Sequence, residues 1–188
     1  MEALQTIHRF TIADYHAMAE AGILPRDRRV ELIDGQVVEM SPIGTRHLAA
    51  VDRLNRLFVF AFGTDAIVRV QGSVLLEPYS QPEPDLLVLG DSLDWYSEAG
   101  AHGRDVLLAV EVADSSLTFD MRVKAPLYAR EGIPELWIVD LRHDALLVYR
   151  LAVPGRYGEP QRLVVGRIAL ERFSTVSFDI AELLKTAR

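Results

Sequence analysis

QPEPDLLVLGDSLDWYSEAGAHGRDVLLAVEVADSSLTFDMRVKAPLY, residues 81–128, is the stretch around which the chain is organised. It holds two apolar runs of strand length, DLLVL (85–89) and DVLLAVEV (105–112). The second is almost wholly apolar, which predicts a central strand covered on both faces. Each run carries a carboxylate where a buried strand should have none: Asp85 opens the first and Glu111 lies near the end of the second. Residues 91–104 between them read as irregular. The segment that follows, TFDMRVKAPLYARE (118–131), reads as a helix holding Lys124, with Gly132 as its stop. Pro126 within it marks a kink or the start of a shorter helix, because proline lacks the N–H that a helix interior needs.

Outward from this stretch the elements follow from periodicity and punctuation. Residues 11–23 read as a helix capped by Thr11, with Asp14 three residues on, an apolar face of Ile12, Tyr15, Met18 and Ala19, and a stop at Gly22. RVELIDGQVVEM (29–40) reads as a hairpin turning at Asp34-Gly35, with Val30, Leu32 and Val37 as candidates for its buried face. Residues 45–62 form the strongest amphipathic helix: Leu48, Val51, Leu54, Phe58 and Phe62 recur at three- and four-residue steps, and Gly63 ends it. AIVRV (66–70) and SVLLE (73–77) read as short strands. ELWIVD (135–140) reads as a buried strand paired with ALLVYRL (145–151), VPGRYGEP as a turn into later strands, and FDIAELLKTA (178–187) as a closing helix. This order gives an α+β (α/β-like) fold, a mixed central sheet flanked by helices.

Of 188 residues, 49% are hydrophobic, which suits one domain spanning 1–188 with a sizeable core. There is no apolar run long enough to span a membrane, MEALQTIHRF lacks the pattern of a signal peptide, and cysteine is absent. These features exclude disulfides and thiolate sites and fit a cytoplasmic protein. The net charge of −7 counts against non-specific DNA binding, which depends on neutralising phosphates with Lys and Arg. Of the 20 basic side chains only two are lysines, Lys124 and Lys185.

Three residues invite a chemical reading. Pro82 and Pro84 hold the entry to the first run extended and place Asp85 at a strand edge, where the alternative role is a turn cap. Glu111 has apolar neighbours on both sides, and an ionised carboxylate there is costly unless paired or metal-bound. A salt bridge to an arginine, or a strand that ends just before it, would account for it equally. Two carboxylates at adjacent strand ends repel, and a hard divalent ion such as Mg²⁺ between them, helped by the Val112 carbonyl, relieves the repulsion. Lys124 could then orient a nucleophile or stabilise transition-state charge. Asp120 and Tyr128 lie one turn to either side of it, and the simpler reading of Asp120–Lys124 is an exposed pair. His47, near the start of the long helix, could approach the site but reads first as a polar helix end; Gln71 reads as a cleft or bulge residue, and Trp95, Tyr96 and Trp137 as packing residues.

PEPD (82–85), the strand ending in EV (111–112) and the segment from Lys124 through GIPELWIVD to residue 140 together resemble the PD-(D/E)XK nuclease superfamily. They are most similar to its bacterial branch of restriction-endonuclease-like proteins of unassigned biology. The resemblance extends to RFTIADYHAMAE and RVELIDGQVVEM and so covers nearly the whole chain. It implies a restriction-endonuclease-like core and Mg²⁺-dependent (or Mn²⁺-dependent) hydrolysis of DNA phosphodiesters. It also implies Asp85 and Glu111 as metal ligands, Lys124 as the catalytic lysine and Glu31 as a further acid at the metal. The superfamily's usual lysine position, two residues after the acid, is Ala113 here, and the resemblance places the lysine at 124 instead. The rival expectations are a catalytically inactive DNA-binding or regulatory protein on the same fold, and an interaction protein whose acids form ordinary salt bridges. Small size and many strands after residue 135 raise a homodimer as a means of assembling a basic surface.

Overall fold

The computed structural model describes residues 7–25 and 27–185. The signal-peptide reading at residues 1–6, and the last two residues assigned to the closing helix, 186–187, lie outside the described residues.

Helix α1 (Ile12–Glu20) begins as its residues demand. The Thr11 hydroxyl accepts from the Asp14 N–H at 3.1 Å, and the Asp14 carboxylate takes the Thr11 N–H at 2.8 Å, a complete capping box. The helix stops at Gly22, whose φ of 70° suits glycine. Its expected apolar face is not a core face: Ile12, Tyr15 and Met18 are only half-buried and Ala19 is exposed. Strands β1 (Val30–Ile33) and β2 (Gln36–Glu39) form the hairpin, in the register Ile33↔Gln36. Asp34 (φ 49°) and Gly35 (φ 78°) take the turn that two positive φ angles require. Leu32 is fully buried there, whereas Val30 and Val37 are half-buried.

Helix α2 (Thr45–Phe62) buries Ala50, Val51, Leu54, Phe58 and Phe62. Leu48, expected on that face, is 43% exposed. It lies in the first turn, short of the burial that the sheet provides from Ala50 onward. The helix packs on a mixed sheet made of β3 (Ile67–Val70), β4 (Leu86–Leu89), β5 (Val106–Ala113), β6 (Glu135–Asp140), β7 (Ala145–Val153) and β8 (Arg156–Tyr157). These strands are neighbours in that order, and β9 (Gln161–Leu163) also pairs with β7. Among the described residues of this sheet only β5 and β6 run parallel; the other strand pairings are antiparallel. The parallel link needs a crossover, supplied by α3 (Leu117–Phe119), a π-helical turn (Asp120–Lys124) and α4 (Ala125–Arg130). The helical segment over 118–131 is therefore broken where Pro126 predicts the start of a shorter helix. Pro126 falls in the first turn of α4, and the wide turn before it takes up a residue without an N–H. A second hairpin, β10 (Arg167–Leu170) and β11 (Phe173–Asp179), leads into α5 (Ile180–Leu184).

SVLLE (73–77) is not a strand. Leu75 and Leu76 make only isolated bridges, to His102 and Ser80, because the chain turns back at once through 77–79 and Pro78 has no donor for a ladder. Trp95 is another departure: it is 69% exposed on the 91–99 loop instead of packing, while Trp137 is fully buried.

The sheet's alternation sorts the core into two layers. Leu86, Val88, Leu108, Val110 and Val112 join the cluster under α2 and α5, with Phe58, Trp137 and Phe178. Leu87, Leu89, Ala109 and Ala113 join the opposite cluster, with Leu127 and Tyr128 of α4. By the two-residue period of a strand, Glu111 shares the face of Ala109 and Ala113, and so it meets the helix that carries Lys124. Among the described residues no helix is long and apolar enough to cross a membrane.

Candidate functional site

A cavity of about 410 Å³ opens at the carboxyl end of β5. Eight polar or charged side chains are buried among the described residues, and five of them line this cavity: Glu31, Asp85, Glu111, Asp120 and Lys124. Polar burial on this scale is costly unless it is satisfied or serves a site, so its concentration at one place marks the cavity out.

Each residue is placed by an element already described. Asp85 immediately precedes β4, and its Oδ2 accepts the Val112 N–H at 2.8 Å. The same oxygen lies 3.0 Å from His47 Nε2, which α2 brings in from its first turn. Glu111 projects toward the helical crossover. There its Oε1 accepts from Lys124 Nζ at 3.1 Å and from the Tyr128 hydroxyl at 2.6 Å. Lys124 Nζ also lies 3.3 Å from Glu31 Oε2, and that oxygen accepts the Glu83 N–H at 3.1 Å. Asp120 is held by the Ser116 hydroxyl at 2.7 Å. The π-helical turn puts Asp120 and Lys124 on the buried side together, with Tyr128 one turn further on.

The five residues assigned to the site by sequence therefore converge on one cavity, with Val112 as the fifth, and Lys124 does reach back from the helix to Glu111. Ala113 is buried and contributes only packing. The expected alternative of an exposed Asp120–Lys124 pair is overturned, since Asp120 is 2% and Lys124 3% exposed. His47, for which an approach to the site is the second reading beside a polar helix end, is a cavity residue bonded to Asp85. Nothing local signals this, because its partner lies 38 positions away. Tyr128 lies on the helix face that its four-residue step from Lys124 predicts, and its hydroxyl joins Lys124 at Glu111. Gln71 is a turn residue with φ 48° that donates its N–H to the Asp85 carbonyl, and it does not line the cavity.

Burial pushes the Glu111 carboxyl well above its usual range. Lys124 opposes that rise, while Asp120, Asp85 and Glu31 add to it. Burial works against the Lys124 ammonium, but Glu111, Glu31 and Asp120 together raise its pKa above the ordinary lysine value. Burial raises Asp120 from 3.8 to about 6, with Lys124 and the Ser116 hydroxyl pulling it down. An acid whose folded pKa is raised binds more protons folded than unfolded, so stability falls as pH rises between those two values. Stability from urea unfolding should therefore drop by about 3 kcal/mol from about pH 3 to about pH 7 in the wild type relative to Asp120→Asn, which lacks the titration. Parallel pH profiles of the two proteins would contradict the assignment.

The donor set suits a hard divalent cation. Four buried carboxylates face one buried ammonium, and apart from the His47 ring and the Met40 thioether the side-chain groups of the lining that can ligate a metal are oxygens. A strand residue's N–H and C=O point to the same side. The Val112 N–H goes to Asp85, so its carbonyl is directed to that side too, past the Leu86↔Val110 end of the β4 ladder. Among the described residues, no three histidine, aspartate or glutamate side chains are already drawn into a ligand cage. Lys124 holds Glu111 and Glu31 in its place.

Comparison with known proteins agrees with this architecture. The profile of the Uma2 family, described as "Putative restriction endonuclease", matches residues 12–179. Among solved structures, the crystal structure of "a putative nuclease belonging to DUF820" from Anabaena variabilis ATCC 29413 superposes with a TM-score of 0.70 at 16% identity. The match covers 89% of this chain and 96% of that one, and at this identity it is a likeness of fold. No curated protein matches the chain. The chain belongs to the Uma2 family, within the restriction-endonuclease-like PD-(D/E)XK superfamily.

Proposed function

We propose that this Uma2-family chain is a metal-dependent nuclease that hydrolyses DNA phosphodiesters as one domain, using Mg²⁺ or Mn²⁺. The observation that carries the reading is the meeting of four buried carboxylates with one buried ammonium in a single open cavity. Asp85, Glu111 and the Val112 carbonyl would hold the ion, with Glu31 in support. When bound, it supplies charge neutralisation at a phosphoryl oxygen and lowers the pKa of a water. The chain's own groups prepare the rest. The Val112 N–H and His47 fix the orientation of Asp85 Oδ2. Tyr128 and Lys124 both engage Glu111 Oε1, which leaves Oε2 as the free acceptor among the described hydrogen bonds. Lys124 Nζ, anchored between Glu111 and Glu31, places a fixed positive charge where an attacking water is oriented or phosphoryl charge develops.

DNA is the partner that the description of the family, a restriction endonuclease, favours. With a net charge of −7, binding falls to the site itself or to a homodimer that joins two such surfaces. Light scattering that reports a monomer removes the dimer. The protein would work in the cytoplasm.

The test is cleavage of single- and double-stranded DNA by the purified chain with Mg²⁺ or Mn²⁺, with EDTA as the control. Cleavage should depend on the divalent ion and disappear in Glu111→Ala and Lys124→Ala. Cleavage that survives both substitutions sinks the assignment. Divalent-ion binding without cleavage of any substrate would instead identify a catalytically silent DNA-binding or regulatory protein on this fold.

A further inference from the structure

We infer that the cavity takes an unpaired DNA strand and not an intact duplex. The inference rests on the nuclease reading for the identity of the ligand, and on three features of the cavity for its form.

The first is depth. Glu31, Glu111, Asp120 and Lys124 are each no more than 3% exposed, and Asp85 is 8% exposed. A phosphodiester must therefore enter the cavity to reach them. The volume of about 410 Å³ lies toward the small end of pockets that enclose one drug-sized ligand, about 300–1,000 Å³. A single nucleotide is a group of that size. A base pair with both of its backbones is not.

The second is the wall. Val38, Met40, Ile43 and Phe119 line the same cavity as the acids and are half-buried. A polar, charged floor beside an apolar wall with one aromatic ring matches a nucleotide, with the phosphate inward and the base against Phe119. Only an unpaired base can offer its face in this way, since in a duplex both faces are stacked on neighbours.

The third is the rim. A duplex-binding surface relies on cations free to meet successive phosphates. Here Arg29, which lines the mouth, is paired with Glu83 at 3.3 Å. Glu39 and Asp114, also at the mouth, hold Arg28 at 2.9 Å and Arg46 at 4.0 Å. The rim is locally neutralised, so affinity must come from the enclosed nucleotide.

Two measurements on the full chain test this. The first is fluorescence anisotropy, with Ca²⁺ in place of Mg²⁺, of a labelled oligothymidylate and of a blunt hairpin duplex with the same number of nucleotides. The oligothymidylate should bind about ten-fold tighter or more, and Phe119→Leu should remove about ten-fold of that affinity, the worth of stacking one base on a ring. Its melting temperature and that of Phe119→Tyr, which keeps the ring and should keep the affinity, exclude a folding defect. Equal or tighter binding of the hairpin, or no binding of either probe, overturns the inference. The second is wild-type cleavage, with Mg²⁺ or Mn²⁺, of the oligothymidylate and of a covalently closed relaxed duplex. Equal cleavage of both overturns the single-strand inference and leaves the nuclease reading intact. Selective oligothymidylate binding without cleavage of either substrate leaves the inference standing and overturns the nuclease reading.

Discussion

Replacing Lys124 with methionine is expected to abolish cleavage and to lower the unfolding free energy by about 3 kcal/mol. The side chain is 3% exposed, and its ammonium lies 3.1 Å from Glu111 and 3.3 Å from Glu31, with Asp120 adding to the field. Methionine keeps the length and the apolar stem but leaves these buried acids without a cation. Breaking a buried pair by removing one partner is costly because the other charge is stranded, whereas removing both is much less so. The double variant Lys124→Met/Glu111→Gln should therefore recover part of the lost stability and none of the cleavage. Urea unfolding of the wild type and the two variants measures the first, and a DNA cleavage assay the second. A Lys124→Met protein as stable as the wild type would show that the acids are already neutral and that the ammonium does not hold the site together. One that cleaves at the wild-type rate would remove Lys124 from the mechanism.

Replacing Glu111 with glutamine should separate the ion from the fold. The amide oxygen can still accept from Tyr128 and Lys124, so the hydrogen bonds that place residue 111 are retained. Its charge is lost, and a hard cation discriminates strongly in favour of carboxylate. Cleavage should fall by about a thousandfold. Mg²⁺ at a hundred times its dissociation constant should stabilise the wild type by about 2.7 kcal/mol and the variant by essentially nothing. Equal stabilisation of both proteins by the ion would place the metal elsewhere.

Two of the site's four carboxylates, Asp85 and Glu111, were legible in the chain because they violate the pattern around them; Glu31 followed only from the resemblance, and Asp120 looked like an exposed residue. Glu111 stands in LLAVEVA, and no apolar strand needs an acid there. Asp85 was legible from the prolines before it. The fold was legible where local chemistry decides it: the Asp34-Gly35 turn, the capping box at Thr11, and the three- and four-residue steps of α2. It was not legible where distant segments decide it. SVLLE has strand composition, yet whether it joins a sheet depends on a neighbour, and the turn at 77–79 withdraws it. Leu48 has the right spacing but lies before the point where the sheet covers the helix. His47 looks like any polar residue in a first helical turn until the fold brings Asp85 to 3.0 Å. Lys124 is an intermediate case. Its spacing to Asp120 and Tyr128 predicts the shared face, but only the crossover between β5 and β6 shows that this face looks at Glu111.

The central claim is that Asp85 and Glu111 share a divalent cation. The most direct measurement is the anomalous difference map of a crystal of the wild-type protein soaked in Mn²⁺. The account predicts a single strong peak between the Asp85 and Glu111 carboxylates, within coordination distance of the Val112 carbonyl and absent from a Glu111→Gln crystal. No peak there at a saturating Mn²⁺ concentration, with Lys124 still bridging Glu111 and Glu31, would contradict it.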